Sequence, residues 1–568
     1  MTLMNAKPSP LIESKSVGGY IRWETAAFFI LLVAGFLTRL LPLSISQYPF
    51  NNDGLTECGI ASSILDSGHL RVLPDAVNGT THSLATPAMN VLIAYMSSML
   101  GVSPFECSQV LVATVALATI GGIYMIARDF SGGIVGGVTA GLMAVMMGTF
   151  VFTTGSVWKG SLGIALLVMI IVSLVRRNEL RFRAVCGLLL MVMPLVHHLV
   201  ATIALLVVAF PLVWSWFLAV TTRSAQRRNL ADLIMIAVPT AWTIAYYSLV
   251  SFDRFQALSS FSKVGLLIGG FLALCVVAIA VLSMKTHSKW TYAPLLGTGI
   301  VILLVLDYYG YLYSYAPSAP EHYLVLVVAF GVIFSIAWYG SEVILERRPR
   351  YSAVHLGLLL APLAVMGYSF LGGFSSSSHQ IIYRSFDFAD LFIFIGGGAA
   401  VCWLFSNRRQ AYPIVAGLVV VSLAVSFPFA YDTQTLSGVR HDTQAYEVDG
   451  IRWIANAQSH PHMVSDERLS YIGGAMADIP KDNDLPTDFA MNYTLPPFWI
   501  GVLEYEWLSA GVNNYPEGLV VVSKSDYMRV MEHSNVLYIG GPFENRLIIY
   551  ATSYIGYVEI AQPFTESG

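Results

Sequence analysis

Asp53 and Glu57 stand four residues apart in a polar segment that follows the first hydrophobic run of the chain. If the segment around Asp53 is helical, the two carboxylates share a face, and their proximity raises one acid while leaving the other ionised. That arrangement suits a general base. Asn51-Asn52-Asp53-Gly54 is equally a turn and cap composition, so Asp53 could instead cap a helix starting at Leu55. An acid at the mouth of a membrane bundle can act on a substrate whose polar head is tethered to a lipid anchor.

Other polar residues recur at the ends of apolar runs: Trp158-Lys159, His197-His198, Asp307, Glu321-His322 and Arg384-Ser385-Phe386-Asp387. A cation at a span end costs desolvation unless something anionic meets it, which makes Lys159 and Arg384 candidates for a phosphate. Snorkelling to headgroups is the simpler account of either one alone. Arg384 offers a planar two-pronged contact that a lysine cannot. The pair His197-His198 could bind phosphate or metal, or could form a polar hairpin tip. Asp307, Glu321 and His322 lie in a segment that could face substrate. The cluster Tyr308, Tyr309, Tyr311, Tyr313 and Tyr315 reads as an interfacial aromatic belt, with stacking on a sugar as the alternative.

The elements that must position these residues are membrane spans. Over 568 residues the chain is 55% hydrophobic and 12% charged, with mean hydropathy +0.64. That composition is far outside the soluble range. Apolar runs predict spans near 25–43, 106–127, 133–154, 160–175, 184–196, 199–220, 230–250, 264–284, 290–309, 323–343, 352–373, 388–406 and 411–430, about thirteen transmembrane helices. The run 88–100 is too short to cross and reads as a re-entrant or interfacial helix.

With residues 1–24 as a cytoplasmic tail, alternate loops collect fifteen Lys and Arg against five on the other side. That asymmetry sets the orientation. It predicts a multi-pass protein of the cell membrane, with the first loop (44–105) and a C-terminal domain (432–568) outside. The latter shows β-like runs at 519–522, 536–539 and 547–550 and an amphipathic helix at 446–457, suggesting a small α/β domain. The triplets at Asn78 and Asn492 are glycosylation-type sequons on the predicted outer side. A net charge of −4 gives no case for nucleic acid. The five cysteines show no metal spacing; Cys58 and Cys107 could share the outer face and pair.

The stretch from Asn52-Asp53-Gly54 through Gly68 to Pro74 resembles the first outer loop of the GT-C glycosyltransferases, among them aminoarabinose transferases, protein O-mannosyltransferases and oligosaccharyltransferase catalytic subunits. Thr86-Pro87-Ala88-Met89 is similar to the proline element that follows that loop, and Gly132-Gly133 through Gly160 is similar to the oligosaccharyltransferase stretch leading to a second acidic motif. The resemblance implies a GT-C-like membrane domain over 25–431, with Asp53 as the catalytic residue and Arg384 as a ligand of the lipid phosphate. It implies a polyprenyl phosphate or diphosphate sugar donor and a protein, glycan or lipid acceptor, among membrane lipids. Trp158-Lys159 stands where the oligosaccharyltransferases carry their second acid pair, so a divalent metal cofactor is not supported. Their Trp-Trp-Asp signature is absent. On this reading Glu57 tunes Asp53, while Lys159 and Arg384, with His197 or His198, stabilise the departing phosphate. A transporter or lipid-headgroup translocator is the alternative, although ionisable residues clustered at one edge fit it poorly. A non-enzymatic envelope scaffold is the third reading.

Overall fold

The computed structural model describes residues 17–70, 85–221, 230–250, 270, 324–371, 376–431, 441–457, 462–464, 467–477, 479 and the strands given below. The chain is mostly helical. From the first apolar run come α1 (Val17–Leu40), α2 (Asn52–Ser67), α3 (Ala88–Leu100) and α4 (Pro104–Ser131). There follow α5 (Ile134–Met146), α6 (Gly148–Gly155), α7 (Lys159–Val175), α8 (Leu180–Val196), α9 (His198–Thr221) and α10 (Leu230–Leu249). The later helices are α11 (Leu324–Arg347), α12 (Pro349–Leu371), α13 (Ser376–Asn407) and α14 (Tyr412–Ser426), then α15 (Ala445–Ala457) and α16 (Glu467–Met476). Strands β1 (His462–Val464), β2 (Trp499–Glu504), β6 (Leu547–Ala551) and β5 (Asn535–Gly540) pair in that order. The β1/β2 pairing is parallel and the other two are antiparallel. β3 (Val512–Tyr515) and β4 (Gly518–Val521) form a separate antiparallel pair.

Among the described residues eight helices are long and apolar enough to cross a membrane, or nine if α5 and α6 make one bent span. The chain is a multi-pass membrane protein. Of the thirteen spans expected from sequence, those at 264–284 (apart from Gly270) and 290–309 lie outside the described residues. The single span expected at 133–154 is two helices bent by 69° at Met147. Bending frees backbone groups that a lipid-facing helix could not leave unsatisfied. Here the Arg39 guanidinium donates to the carbonyls of Ala144 (2.7 Å) and Val145 (3.3 Å) at the end of α5. The Gly148 amide that opens α6 donates to the Ser426 hydroxyl (2.9 Å). A cation at a helix C-terminus also complements its dipole.

The core is centred on α13, which packs most extensively against α11 and also against α5 and α12. Its glycine run permits this: Gly396 lies against the backbone of Ala337, and Gly398 against that of Gly136. Small residues let helix backbones approach where lipid supplies no hydrophobic drive between helices. The short helix α3 is held by its buried face of Met89, Asn90, Ile93, Ala94 and Ser97, with Val91, Tyr95, Met99 and Leu100 exposed. It packs on α2 and α4.

Candidate active site

Helix α2 carries the first acid. Asn51 is the cap: its side chain accepts from the Asp53 amide at 3.1 Å. It adopts φ 91°, the one non-glycine residue with positive φ among the described residues, a conformation asparagine tolerates better than most. Asp53 therefore sits in the first turn, half-buried, where a negative charge is favoured by the helix dipole. Its carboxylate joins no hydrogen bond or ion pair among the described residues. The Val157 amide donates to the Phe50 carbonyl (2.9 Å). Gly54 presses on the same residue, a Cβ there meeting Val157 at 2.9 Å, so the start of α2 is docked on the segment leading to Trp158.

Glu57, one turn further, is 3% exposed. It pairs with Lys159 at 3.3 Å, and Asn90 of α3 donates to both its carboxylate and its backbone carbonyl. Burial pushes the Glu57 carboxyl up from its ordinary range; the Lys159 ammonium opposes this and Asp53 adds to it. Lys159 is thus not an open cation awaiting phosphate, as the sequence suggests, but the 5% exposed partner of Glu57. The physical reason is local. Lys159 opens α7, where a positive charge opposes the helix dipole, and only a buried anion offsets both that and its desolvation.

Glu57→Gln should therefore cost about 3–5 kcal/mol by stranding the ammonium. Glu57→Gln combined with Lys159→Met should recover most of that loss, and denaturant unfolding of the three variants checks it.

Around Trp158 the remaining candidates converge. Its indole N–H donates to the Thr153 carbonyl (2.7 Å), and the Arg384 guanidinium lies over its ring at 5.4 Å. His197 meets the same ring edge-on at 6.3 Å and stacks on His198 at 4.9 Å. His197 occupies the break between α8 and α9, and its Nδ1 accepts from the Leu199 amide at 3.2 Å. That bond assigns the neutral tautomer with its proton on Nε2, so the ring is a neutral N–H donor and a helix cap rather than a metal ligand through Nδ1. Asp387, one turn beyond Arg384, is buried, and so is Asp390 one turn further on.

Arg39, wholly buried, ties this platform down. It donates to the Thr154 hydroxyl (2.8 Å) as well as to the end of α5. Gln109 donates to the carbonyls of Arg39 and Gly155, both at 2.7 Å. From the other side the Asn51 amide donates to the His441 carbonyl (2.9 Å), and Gly59 of α2 faces Ala475 of α16 at 3.2 Å from a would-be Cβ.

Asp53, Glu57, Lys159, His197, His198 and Arg384 thus belong to adjoining elements. Asp307, Glu321, His322, the tyrosine cluster, Cys275 and both sequons lie outside the described residues. Cys58 and Cys107 are buried free thiols. Sequence reasoning missed Asn90, Asp390 and the Thr153 contact. A lone asparagine in the apolar run 88–100, and a second acid three residues after Asp387, were the available signals. Among the described residues no group of three or more His, Cys, Asp or Glu could hold a metal ion.

No family model matches the sequence, and no curated protein does. Solved structures do. The archaeal oligosaccharyltransferase AglB from Archaeoglobus fulgidus, in complex with an inhibitory peptide and a dolichol-phosphate, superposes with a TM-score of 0.53 at 13% identity. The alignment covers 94% of this chain and 75% of that one. This chain has a GT-C-like fold. The apo form of the Archaeoglobus fulgidus oligosaccharyltransferase gives 0.50 over the same shares at 13% identity. ArnT from Cupriavidus metallidurans bound to undecaprenyl phosphate gives 0.41 at 14% identity, covering 94% of this chain and 98% of that one.

Proposed function

We propose that this GT-C-like chain is a glycosyltransferase that moves a sugar from a polyprenyl phosphate or diphosphate to an acceptor at the membrane surface. The observation that carries the reading is the open Asp53 carboxylate on α2, beside a platform whose Arg384 guanidinium covers Trp158. The dolichol-phosphate bound in the AglB complex supports a lipid-linked donor.

In the proposed step the acceptor hydroxyl oxygen attacks the anomeric carbon while Asp53 takes its proton. The bond from that carbon to the phosphate oxygen breaks, and its electron pair leaves with the phosphate. Arg384 and the Nε2–H of His197 donate to the developing charge, so the leaving oxygen needs no proton. Glu57 and Lys159 act as a net-neutral pair that fixes α2 against α7, which revises the separate roles expected of them. The tail 1–24 is proposed as cytoplasmic, and 432–568 as an extracytoplasmic domain of a cell-membrane protein.

Incubation of the purified protein with a radiolabelled polyprenyl-phosphate sugar tests the reading. Consumption of the donor only when acceptor is present supports it, and an inert donor across acceptor classes overturns it. The residues present do not fit a metal of the oligosaccharyltransferase type, because the Lys159 ammonium already sits at Glu57. Transfer is accordingly expected to persist within about twofold in excess chelator, and a loss restored by a divalent cation would overturn that assignment.

A further inference from the structure

The Trp158 indole folds forward onto the helix that follows it. A Cβ placed on Gly160, the second residue of α7, would meet Cζ2, Cε2 and Cη2 of that ring at 2.5, 2.6 and 2.8 Å. Distances this similar to three consecutive ring atoms arise over the face of a ring and not beside its edge, so the first turn of α7 closes that face. All three atoms belong to Trp158 itself. That separates Gly160 from Gly396 and Gly398, whose missing side chains let neighbouring helices approach.

Backbone conformation does not ask for glycine here. Gly160 is helical and is not among the glycines with positive φ, and alanine is the better residue at an ordinary helical position. What asks for it is the ring, which cannot swing aside freely. The indole N–H donates to the Thr153 carbonyl at 2.7 Å, and the Ser161 hydroxyl donates to the same carbonyl at 2.9 Å. The Val157 amide fixes the preceding residue to the Phe50 carbonyl. Carbon atoms rest at about 3.5–4.0 Å from one another, so an added Cβ would push the ring back by about 1 Å. That movement breaks the bond to Thr153 and withdraws the surface under Arg384.

We infer that Gly160 is a positioning residue of the platform: the space left by its missing side chain seats the Trp158 indole where the Arg384 guanidinium lies over it at 5.4 Å. Gly160 acts through the ring. Its consequence for turnover rests on the glycosyl-transfer reading, whereas the placement of Arg384 can be measured without donor.

The test is a double-mutant cycle of Gly160→Ala and Trp158→Leu on the full-length protein in detergent. Thermal unfolding gives the first readout. Helix propensity alone makes Gly160→Ala stabilising, and the wedge against the ring makes it destabilising. The substitution should therefore lower the midpoint when Trp158 is present and raise it on the Trp158→Leu background. Modification of Arg384 by phenylglyoxal, followed by peptide mass in the absence of donor, gives the second. Gly160→Ala and Trp158→Leu should each speed it about two- to fivefold, the change that loss of a partly exposed cation–π contact represents. The double variant should react no faster than Trp158→Leu. Arg384 labelled as in the wild type, or a Gly160→Ala effect of the same sign and size with and without the indole, overturns the inference. Should Gly160→Ala not fold, recovery of folding in the double variant is the same reversal of sign, and labelling of Trp158→Leu supplies the second readout. Transfer measured alongside should fall about 5- to 100-fold in Gly160→Ala. A wild type inert toward every donor sinks the glycosyl-transfer reading and leaves unfolding and labelling to decide on Gly160.

Discussion

Asp53→Asn is expected to lower sugar transfer by about 10²- to 10⁴-fold, the range that general-base catalysis supplies, while leaving the protein folded. The substitution keeps size and shape and removes the proton acceptor. Helix α2 should survive it, because the cap that starts the helix is the side chain of Asn51 and not that of Asp53. What is lost structurally is one favourable charge at a helix N-terminus, worth about 0.3–1 kcal/mol. Single-turnover transfer from a lipid-linked donor, read beside denaturant unfolding, separates the two effects. Full turnover in Asp53→Asn would remove the base assignment and turn attention to Asp387, the buried carboxylate one turn beyond Arg384.

The membrane framework was legible because hydrophobic run length is a local property. The runs at 106–127 and 199–220 appear as α4 and α9, and the run at 88–100, too short to cross, is a helix packed on α2. The break at Met147 was not legible in the same way. Nothing in Met143–Gly148 interrupts hydropathy, and the bend depends on Arg39 and Ser426, residues more than a hundred positions away that satisfy the freed backbone groups. The site divides along the same line. Residue type marked Asp53, Lys159 and Arg384 as unusual where they stand. Partner choice could not be read, since Glu57 finds Asn90 33 residues on and Lys159 beyond α4, α5 and α6. Helical spacing alone coupled Glu57 to Asp53, and a buried ammonium proved the stronger claim on it. His197 stands at the turn between two helices, as the hairpin reading has it, but the bond from a backbone amide two residues along to its ring is visible only once α8 and α9 are separated by that residue.

The second large effect is expected at Arg384. A lysine there keeps the charge but loses two things: the planar fork that grips two phosphate oxygens, and the flat guanidinium that lies over Trp158 at 5.4 Å. A charge-assisted contact of this kind is worth about 1.5–3 kcal/mol, or roughly 10- to 150-fold in binding or rate. The stacking on Trp158 contributes about 0.5–1 kcal/mol more where it is partly exposed. Arg384→Lys should therefore fall close to Arg384→Ala in single-turnover transfer rather than close to wild type. Trp158→Leu should weaken the site less than either, since it removes the surface that orients the guanidinium and leaves the fork intact. Measuring polyprenyl-phosphate binding together with transfer distinguishes a contact made to the ground-state donor from one that strengthens as charge develops. A contact present in both lowers binding and transfer alike, whereas one that grows during bond breaking lowers transfer while sparing affinity. Equal activity of the wild type, Arg384→Lys and Arg384→Ala would make Arg384 a residue that merely snorkels to headgroups, and the donor phosphate would then have to be met by the His197 N–H.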